Sequence, residues 1–137
     1  MKVLIDTNVI LDVLCNRKMF VEDSLKIFKL SETKQIDGYI SALSIANIIY
    51  IMRKELSHIN VKKILDMLSH IFNIIELNEQ DLMEACNLQF NDYEDGIHCN
   101  QASRIKADYI ITRNINDYKN SVIKPISPNE LTRQFLN

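Results

Sequence analysis

Two patterns of hydrophobic and polar positions alternate along the chain. Short β-branched runs that end in polar residues predict buried strands at positions 2–5, 38–41, 73–77, 108–112 and 122–126. Longer segments with an apolar side chain every three or four residues predict helices at positions 9–14, 21–30, 45–56, 61–68, 78–90, 92–106 and 128–136. Predicted strands and helices therefore follow one another with short connections.

This alternation is typical of an α/β domain with a mainly parallel central sheet. The chain shows no internal repeat, linker or low-complexity segment, so we expect residues 1–137 to form a single domain. In such sheets the ligand site lies beyond the carboxyl ends of the strands. The polar residues directly after each strand are therefore the first candidates for function.

Composition supports this interpretation and excludes several classes of protein. Of the 137 residues, 47% are hydrophobic and 25% are charged, which is usual for a globular domain. Two glycines, two prolines and no tryptophan exclude a collagen-like or low-complexity chain. So few turn-forming residues also make a turn-dense all-β sandwich an unfavourable prediction.

The charged and sulfur-containing residues exclude three kinds of protein. The net charge of −2 argues against a protein that coats DNA through an excess of basic side chains. The cysteines and histidines lack the spacing of a disulfide framework or a zinc site; they are Cys15, Cys86, Cys99, His58, His70 and His98. Asp6 and Asp12 interrupt the apolar N-terminus, so we expect no signal peptide and a cytoplasmic protein.

Acidic and amide side chains recur after the predicted strands. The first strand is followed by Asp6, Thr7 and Asn8, the second by the helix with Asn47, and the fourth by Thr112, Arg113, Asn114 and Asp117. The helix that begins around Asp92 and Asp95 should start near them, because the fourth strand follows it. Carboxylates held together need a cation, and oxygen ligands favour Mg²⁺ or Mn²⁺. Such an ion activates water and neutralises charge on a phosphate.

Four segments in a fixed order carry a family resemblance. They are VLIDTNVILD from position 3, ISALSIANIIYIMRK from 40, DYEDGIHCNQA from 92 and ADYIITRNINDYK from 107, followed by SPNEL. Together they resemble the PIN domain, and within it the bacterial branch of VapC-like toxins. The resemblance implies a three-layer α/β/α sandwich and a metal-dependent endoribonuclease that hydrolyses RNA phosphodiester bonds. It also implies a small antitoxin partner and a homodimer.

The resemblance assigns the metal ligands residue by residue. Asp6 matches the first metal-binding aspartate of the family, Asp95 the aspartate on the helix of the third segment, and Asp117 the one that completes the acidic cluster. Each also has an ordinary structural explanation: Asp6 as the end of an Asx-turn, Asp117 as the cap of a turn. Asp92 and Asp95 have the spacing of an N-cap and its partner in the first helical turn, so Asp92 stays open between cap and ligand.

The remaining residues of the motifs receive supporting roles. We expect Asn8 to orient Asp6, and Thr112 and Asn114 to hydrogen-bond carboxylates or metal-bound water. Arg113 is the preferred substrate-binding residue, since a guanidinium contacts phosphate or pairs with an acid. We expect Glu94 to be solvated. His98 is interpreted as a pocket-wall or surface residue rather than a ligand.

Asn47 is the main departure from the family pattern. Many PIN nucleases carry a glutamate at this point, and an amide brings neither a negative charge nor a base. Asn47 can still position water, so it stays among the candidate catalytic residues. The sequence leaves three consequences open: Asp92 compensates for the missing acid, or the site holds one ion strongly and a second only with substrate, or activity is reduced. The rival hypothesis is a PIN-fold module that binds RNA or protein without turnover.

Overall fold

The computed structural model describes residues 1–88, 90 and 92–135. Within them, five strands form one sheet: β1 (Lys2–Ile5), β2 (Asp37–Ser41), β3 (Asn73–Ile75), β4 (Tyr109–Ile111) and β5 (Lys124–Ile126). Their order in the sheet is β3-β2-β1-β4-β5, and every neighbouring pair is parallel. A parallel pair needs a crossover connection, which explains why a helix or a longer segment separates each strand from the next.

Seven α-helices lie in this part of the chain: α1 (Thr7–Leu14), α2 (Val21–Glu32), α3 (Ala42–Ile51), α4 (His58–Ile71), α5 (Glu79–Asn87), α6 (Tyr93–Arg104) and α7 (Pro128–Arg133). A short 3₁₀ helix follows β4 (Ile115–Tyr118). Side-chain caps set most of the helix starts, and they are Asp6, Ser41, Ser57, Asn78, Asp92 and Ser127. Among the described residues, no helix combines the length and hydropathy needed to cross a bilayer.

The sheet has a separate hydrophobic core on each face. In β1, Val3 and Ile5 belong to one core with apolar residues of α1, α2, α3, α4 and α7. Leu4, which points the opposite way, belongs to the other core with residues of α6 and with Tyr118. Helix α5 packs mainly on α6. The predicted α/β/α sandwich with a parallel central sheet is thus confirmed.

The strand order puts a topological switch beside β1. The chain moves outward from β1 through β2 to β3 and then returns to place β4 on the other side of β1. Backbone hydrogen bonds extend the pairing past the strand ends, from Asp6 N to Ile111 O at 2.9 Å and from Thr112 N to Ile126 O at 3.0 Å. Asp6 and Thr112 are therefore held at the carboxyl edge, where parallel sheets form ligand sites.

Several predicted boundaries differ from the observed ones. Helix α3 ends at Ile51 rather than at position 56, because the chain turns at Met52–Glu55 and Arg53 donates a hydrogen bond to Tyr50 O at 2.7 Å. Helix α5 ends at Asn87 rather than at 90, and α7 at Arg133. The predicted end of the last helix, Leu136, lies outside the described residues. Part of the predicted polar loop at 114–120 is the 3₁₀ helix.

Candidate metal centre

Asp6 is fixed at the carboxyl edge of the sheet, between β1 and α1. It is the N-cap of α1, with the extended backbone of that position, and its side chain is buried. Its Oδ1 accepts a hydrogen bond from the backbone of Thr7 at 2.8 Å, and its Oδ2 accepts one from Thr112 Oγ1 at 2.8 Å. A carboxylate oxygen has two lone pairs, so Oδ2 keeps one for a further partner.

Asp95 reaches the same point from the first turn of α6. The N-cap of that helix is Asp92, whose Oδ1 accepts hydrogen bonds from the backbone of Glu94 at 2.8 Å and of Asp95 at 3.4 Å. Asp95 Oδ1 accepts a hydrogen bond from the Tyr118 hydroxyl at 3.0 Å. One ligand atom each from Asp6, Asp95 and His98 lies within 4.8 Å of the other two. The structure thus brings Asp6 and Asp95 together.

The two carboxyl groups differ in charge state because their surroundings differ. Burial raises the pKa of Asp95 to about 7, and the negative charge of Asp6 adds to the rise. Burial also acts to raise the pKa of Asp6, but hydrogen bonds and the charge of His98 outweigh it, and the pKa is lowered overall. Asp6 is therefore ionised at neutral pH, while Asp95 is close to half protonated unless a cation is near.

His98 connects the two acids on their buried side. It is completely buried, with Nδ1 at 3.0 Å from the Tyr118 hydroxyl and 3.5 Å from Asp6 Oδ1, and Nε2 at 3.0 Å from Ser44 Oγ. Burial acts to lower the pKa of His98, but Asp6 raises it by more through a hydrogen bond and its charge. His98 does not line the cavity beside the acids, and its complete burial shows that the expected surface position is wrong. Both ring nitrogens face polar partners.

The hydrogen-bond chain beyond His98 indicates which ring nitrogen carries a hydrogen. Contacts of 3.0, 2.7 and 2.7 Å join His98 Nε2, Ser44, Thr7 and Glu94 Oε1 in that order. Three contacts need three hydrogens, and the two hydroxyl groups have only two. The third belongs to His98 Nε2 or to Glu94. With Glu94 as a carboxylate whose other oxygen accepts a hydrogen bond from Asn47, the third hydrogen is on His98 Nε2, which donates to Ser44.

The prediction that Glu94 is solvated describes only part of its surroundings, because both carboxylate oxygens also have protein partners. Its Oε1 accepts a hydrogen bond from Thr7 Oγ1 at 2.7 Å, and its Oε2 accepts one from Asn47 Nδ2 at 2.9 Å. The side chain keeps 29% of its surface exposed and lies 3.8 Å from His98 Nε2. Asn47 therefore does not face an empty position, because a carboxylate from α6 lies against its amide.

A cavity of about 710 Å³ opens outside the acids. Its lining residues are Phe90, Asp92, Asp95, Asn116, Asp117, Lys119 and Asn120. Asp117 is exposed on the 3₁₀ helix, and the described group of close ligand atoms does not include it. Asp92 and Asp117 therefore share the entrance with Asp95, on the solvent side. Their roles as ligands remain predictions.

The three supporting residues occupy different places. Thr112 donates to Asp6, and its hydroxyl also accepts a hydrogen bond from the backbone of Asn114 at 3.0 Å. Asn114 is exposed, and its backbone precedes the 3₁₀ helix as its N-cap. Asn8 has a buried Oδ1 that no donor among the described residues reaches. That Asn8 orients Asp6, and that Asn114 hydrogen-bonds a carboxylate or metal-bound water, remain predictions.

Arg113 points away from the cavity and contacts a buried acid. Its Nε and Nη2 donate hydrogen bonds to Asp12 at 2.6 and 3.1 Å, and its guanidinium carbon lies 3.9 Å from the ring centre of Phe20. Of the two expected roles, pairing with an acid is the one observed. The signal for it was Asp12 itself, a charged residue among the apolar residues of α1.

The donor set fits a hard divalent cation. Asp6 and Asp95 offer carboxylate oxygens, the ligands that Mg²⁺ and Mn²⁺ prefer. A cation between them would offset the repulsion that, with burial, raises the pKa of Asp95. His98 is less suited to ligation, because its nitrogens already contact Tyr118, Asp6 and Ser44.

Comparisons with known proteins support the same fold. No curated protein matches the chain in sequence. The chain is similar to a toxin-antitoxin complex from Klebsiella pneumoniae, with a TM-score of 0.70 and 19% identity over 92% of this chain and 97% of that one. It is also similar to VapBC2 from Rickettsia felis bound to a DNA fragment from their promoter, with a TM-score of 0.69 and 17% identity over 93% and 98%.

A third similar structure is VapBC-1 from nontypeable Haemophilus influenzae, with a TM-score of 0.67 and 16% identity over 94% of this chain and 99% of that one. At these identities the likeness concerns the fold. In sequence, a family model described as PIN domain matches residues 2–116, which is most of the chain. The protein therefore belongs to the PIN domain family.

Proposed function

We propose that this PIN domain is an endoribonuclease that uses Mg²⁺ or Mn²⁺ to hydrolyse RNA phosphodiester bonds. One observation carries the proposal: ligand atoms of Asp6 and Asp95 lie within 4.8 Å at the carboxyl edge, where burial and the charge of Asp6 raise the pKa of Asp95 to about 7. Such a pair is electrostatically unfavourable for folding alone, and perturbed carboxyl groups of this kind are common at functional sites.

Each residue of the site has a defined task in this proposal. Asp6 and Asp95 hold the ion, and Asp117 contributes from the cavity side, directly or through water. When bound, the ion supplies a more acidic water molecule and neutralises charge that develops on the phosphate. Thr112 and the backbone of Thr7 keep Asp6 in position, and Tyr118 does the same for Asp95.

The cavity supplies the contacts for the substrate. Lys119 lines it and is exposed, so it is placed to contact a phosphate next to the acids. Phe90 lines the same cavity, and an aromatic ring can stack on an unpaired base. We therefore assign phosphate binding to Lys119 in place of Arg113. An RNA substrate of this kind would be met in the cytoplasm.

We further propose that the protein is the toxin of a toxin-antitoxin pair or a close relative of one. This proposal is supported by the similar solved structures, a toxin-antitoxin complex from Klebsiella pneumoniae and the VapBC2 and VapBC-1 structures. A small antitoxin protein and a homodimer are the partners we expect. Light scattering of the purified protein, alone and with the product of a neighbouring small gene, measures both associations. A monomer that does not bind that product would contradict the toxin-antitoxin proposal.

RNA cleavage by purified protein tests the proposal. With Mn²⁺ or Mg²⁺, the parent should cut single-stranded RNA, and Asp6→Asn and Asp95→Asn should each lower the rate by about 100-fold or more. Asp66→Asn serves as the matched control, because Asp66 is an exposed residue on α4 and should leave the rate unchanged.

Two outcomes would overturn the nuclease proposal. If Asp6→Asn cleaves as fast as the parent, the activity belongs to a contaminant or to another site. If the parent binds RNA but cuts none with either metal, the rival hypothesis of a binding module without turnover replaces the proposal.

A further inference from the structure

We propose that Glu94 supplies from α6 the carboxylate that α3 lacks at Asn47, an inference that rests on the proposed nuclease function. Glu94 is then a positioning residue for the ion's water rather than a surface acid. The amide of Asn47 and the carboxylate of Glu94 together replace one acid on α3, with the negative charge moved to the neighbouring helix.

The position of the carboxylate carries this inference. Asn47 Nδ2 donates to Glu94 Oε2 at 2.9 Å. The negative charge of Glu94 therefore lies one hydrogen bond away from position 47, where many PIN nucleases carry a glutamate. Thr7 Oγ1 donates to Oε1 at 2.7 Å. Thr7 belongs to the helix that Asp6 caps, and Asn47 to the helix after β2. The carboxylate is therefore anchored to two of the helices that begin at the carboxyl edge, α1 and α3.

Glu94 has hydrogen-bond acceptor capacity left for metal-bound water. A carboxylate has about four lone-pair directions, and the two hydrogen bonds from Thr7 and Asn47 use two of them. The side chain also keeps 29% of its surface exposed, so water can reach it. Glu94 can thus accept hydrogen bonds from metal-bound water without losing either anchor.

The opposite interpretation is that Glu94 only ties α6 to α1 and α3. The two interpretations differ in what must be kept at positions 94 and 47. A purely structural link between the helices needs only hydrogen bonds, whichever side chain donates, and a neutral glutamine can make them. A positioning acid needs a negative charge, which one side of the pair must carry. Moving the negative charge from position 94 to position 47, with side chains of nearly the same size, therefore distinguishes the two interpretations.

The test uses three variants: Glu94→Gln, Asn47→Asp, and the double variant Asn47→Asp/Glu94→Gln. Glu94→Gln removes the charge at constant size, and Asn47 can turn its amide oxygen toward the new amide. The double variant restores the net charge and one amide–carboxylate pair, with the donor and acceptor exchanged. Asn47→Asp alone sets two carboxylates against each other and serves as the charge control.

Mn²⁺ affinity is the main readout, measured by calorimetry, with melting temperature and RNA cleavage rate beside it. We expect Glu94→Gln to weaken Mn²⁺ binding by about tenfold or more, as loss of an outer-shell partner does. Its melting temperature without metal should fall only slightly, because the variant loses the carboxylate near His98 Nε2 but keeps Asp6 beside Nδ1. The double variant should regain Mn²⁺ affinity to within about threefold of the parent, and cleavage should follow affinity.

Each contrary result has a distinct meaning. If Glu94→Gln binds Mn²⁺ like the parent, or if the double variant binds no better than Glu94→Gln, the inference about Glu94 is wrong while the nuclease proposal stands. If the parent itself binds no Mn²⁺ and cuts no RNA, the nuclease proposal fails first, and the inference falls with it.

Discussion

Arg113 donates two hydrogen bonds to the fully buried carboxylate of Asp12, at 2.6 and 3.1 Å. Arg17 Nη1 reaches the same carboxylate at 3.3 Å from a more exposed position. The arginine next to the candidate metal centre therefore compensates a buried negative charge between α1 and the β4 end. This contact makes Arg113 a residue for stability rather than for RNA.

Replacing Arg113 tests this assignment. Arg113→Ala leaves Asp12 buried with only Arg17 as a partner, so the free energy of unfolding should fall by about 3 kcal/mol. Arg17→Ala, which removes one long contact at a partly exposed side chain, should cost under about 1 kcal/mol. Urea unfolding measures both. An Arg113→Ala protein of normal stability that no longer binds RNA would contradict the assignment.

Lys119 is the cation we expect to meet the RNA backbone. Lys119→Ala should raise KM by about fivefold, the effect of losing about 1 kcal/mol from one exposed charge contact, with kcat nearly unchanged. Lys124→Ala is the matched control, since it removes the same charge from a residue that lines a different cavity with Met1 and Asp108. Steady-state cleavage of a short RNA separates the two parameters. Equal KM changes in both variants would argue for a general charge effect instead.

Metal affinity should depend on pH through Asp95. Its pKa is raised to about 7 by burial and by the charge of Asp6, so a proton competes with the ion below that pH. Apparent Mn²⁺ affinity should fall about tenfold for each unit of pH below 7 and level off above it. Titration at several pH values measures the slope, with Asp66→Asn as the control. A flat affinity between pH 6 and pH 8 would contradict the raised pKa of Asp95 in the metal-free protein.

The stability of the metal-free protein should show the opposite trend. The folded-state pKa of Asp95, about 7, lies above its unfolded value of 3.8, and the pKa of His98 is also raised on folding. Both groups bind protons more tightly when folded, so their contribution is lost as pH rises. The melting temperature should therefore fall between pH 6 and pH 8, and less so in Asp95→Asn. A rise over this range would contradict the raised pKa values of Asp95 and His98.

The two glycines should respond oppositely to alanine. A Cβ at Gly38 would lie 2.6 Å from Ser31 Oγ and 2.8 Å from a Phe72 ring carbon, so Gly38→Ala should cost about 1–3 kcal/mol by overpacking. At Gly96, inside α6, the nearest atoms are at 3.4 Å, and Gly96→Ala should be neutral or stabilising by up to about 1 kcal/mol. Thermal unfolding compares them. Equal losses in both would show that α6 cannot accommodate the added methyl.

The sequence was sufficient to predict the fold because each element has a local signal. Strands such as β1 are continuous apolar runs, and most helices begin at a capping side chain such as Ser57 or Asn78. The 3₁₀ helix was missed because a segment of four residues is too short to show a helical period. Its one buried residue, Tyr118, gives no periodicity to recognise.

The candidate site was predictable only in part, for a physical reason. Asp6 and Thr112 follow neighbouring parallel strands, so their meeting follows from topology. The positions of Glu94 and His98 depend instead on how α6 is rotated against α3. The helical periodicity of one segment does not determine how that helix is rotated against another. The pairing of Glu94 with Asn47 is therefore seen only in the three-dimensional structure.

The central claim is that Asp6 and Asp95 bind one divalent ion together. Crystals grown with Mn²⁺ and measured at the manganese absorption edge test it most directly. The account predicts a single strong anomalous peak within bonding distance of a carboxylate oxygen of each residue, and no such peak in Asp95→Asn crystals. A peak held by other residues alone, or no peak at saturating Mn²⁺, would contradict it.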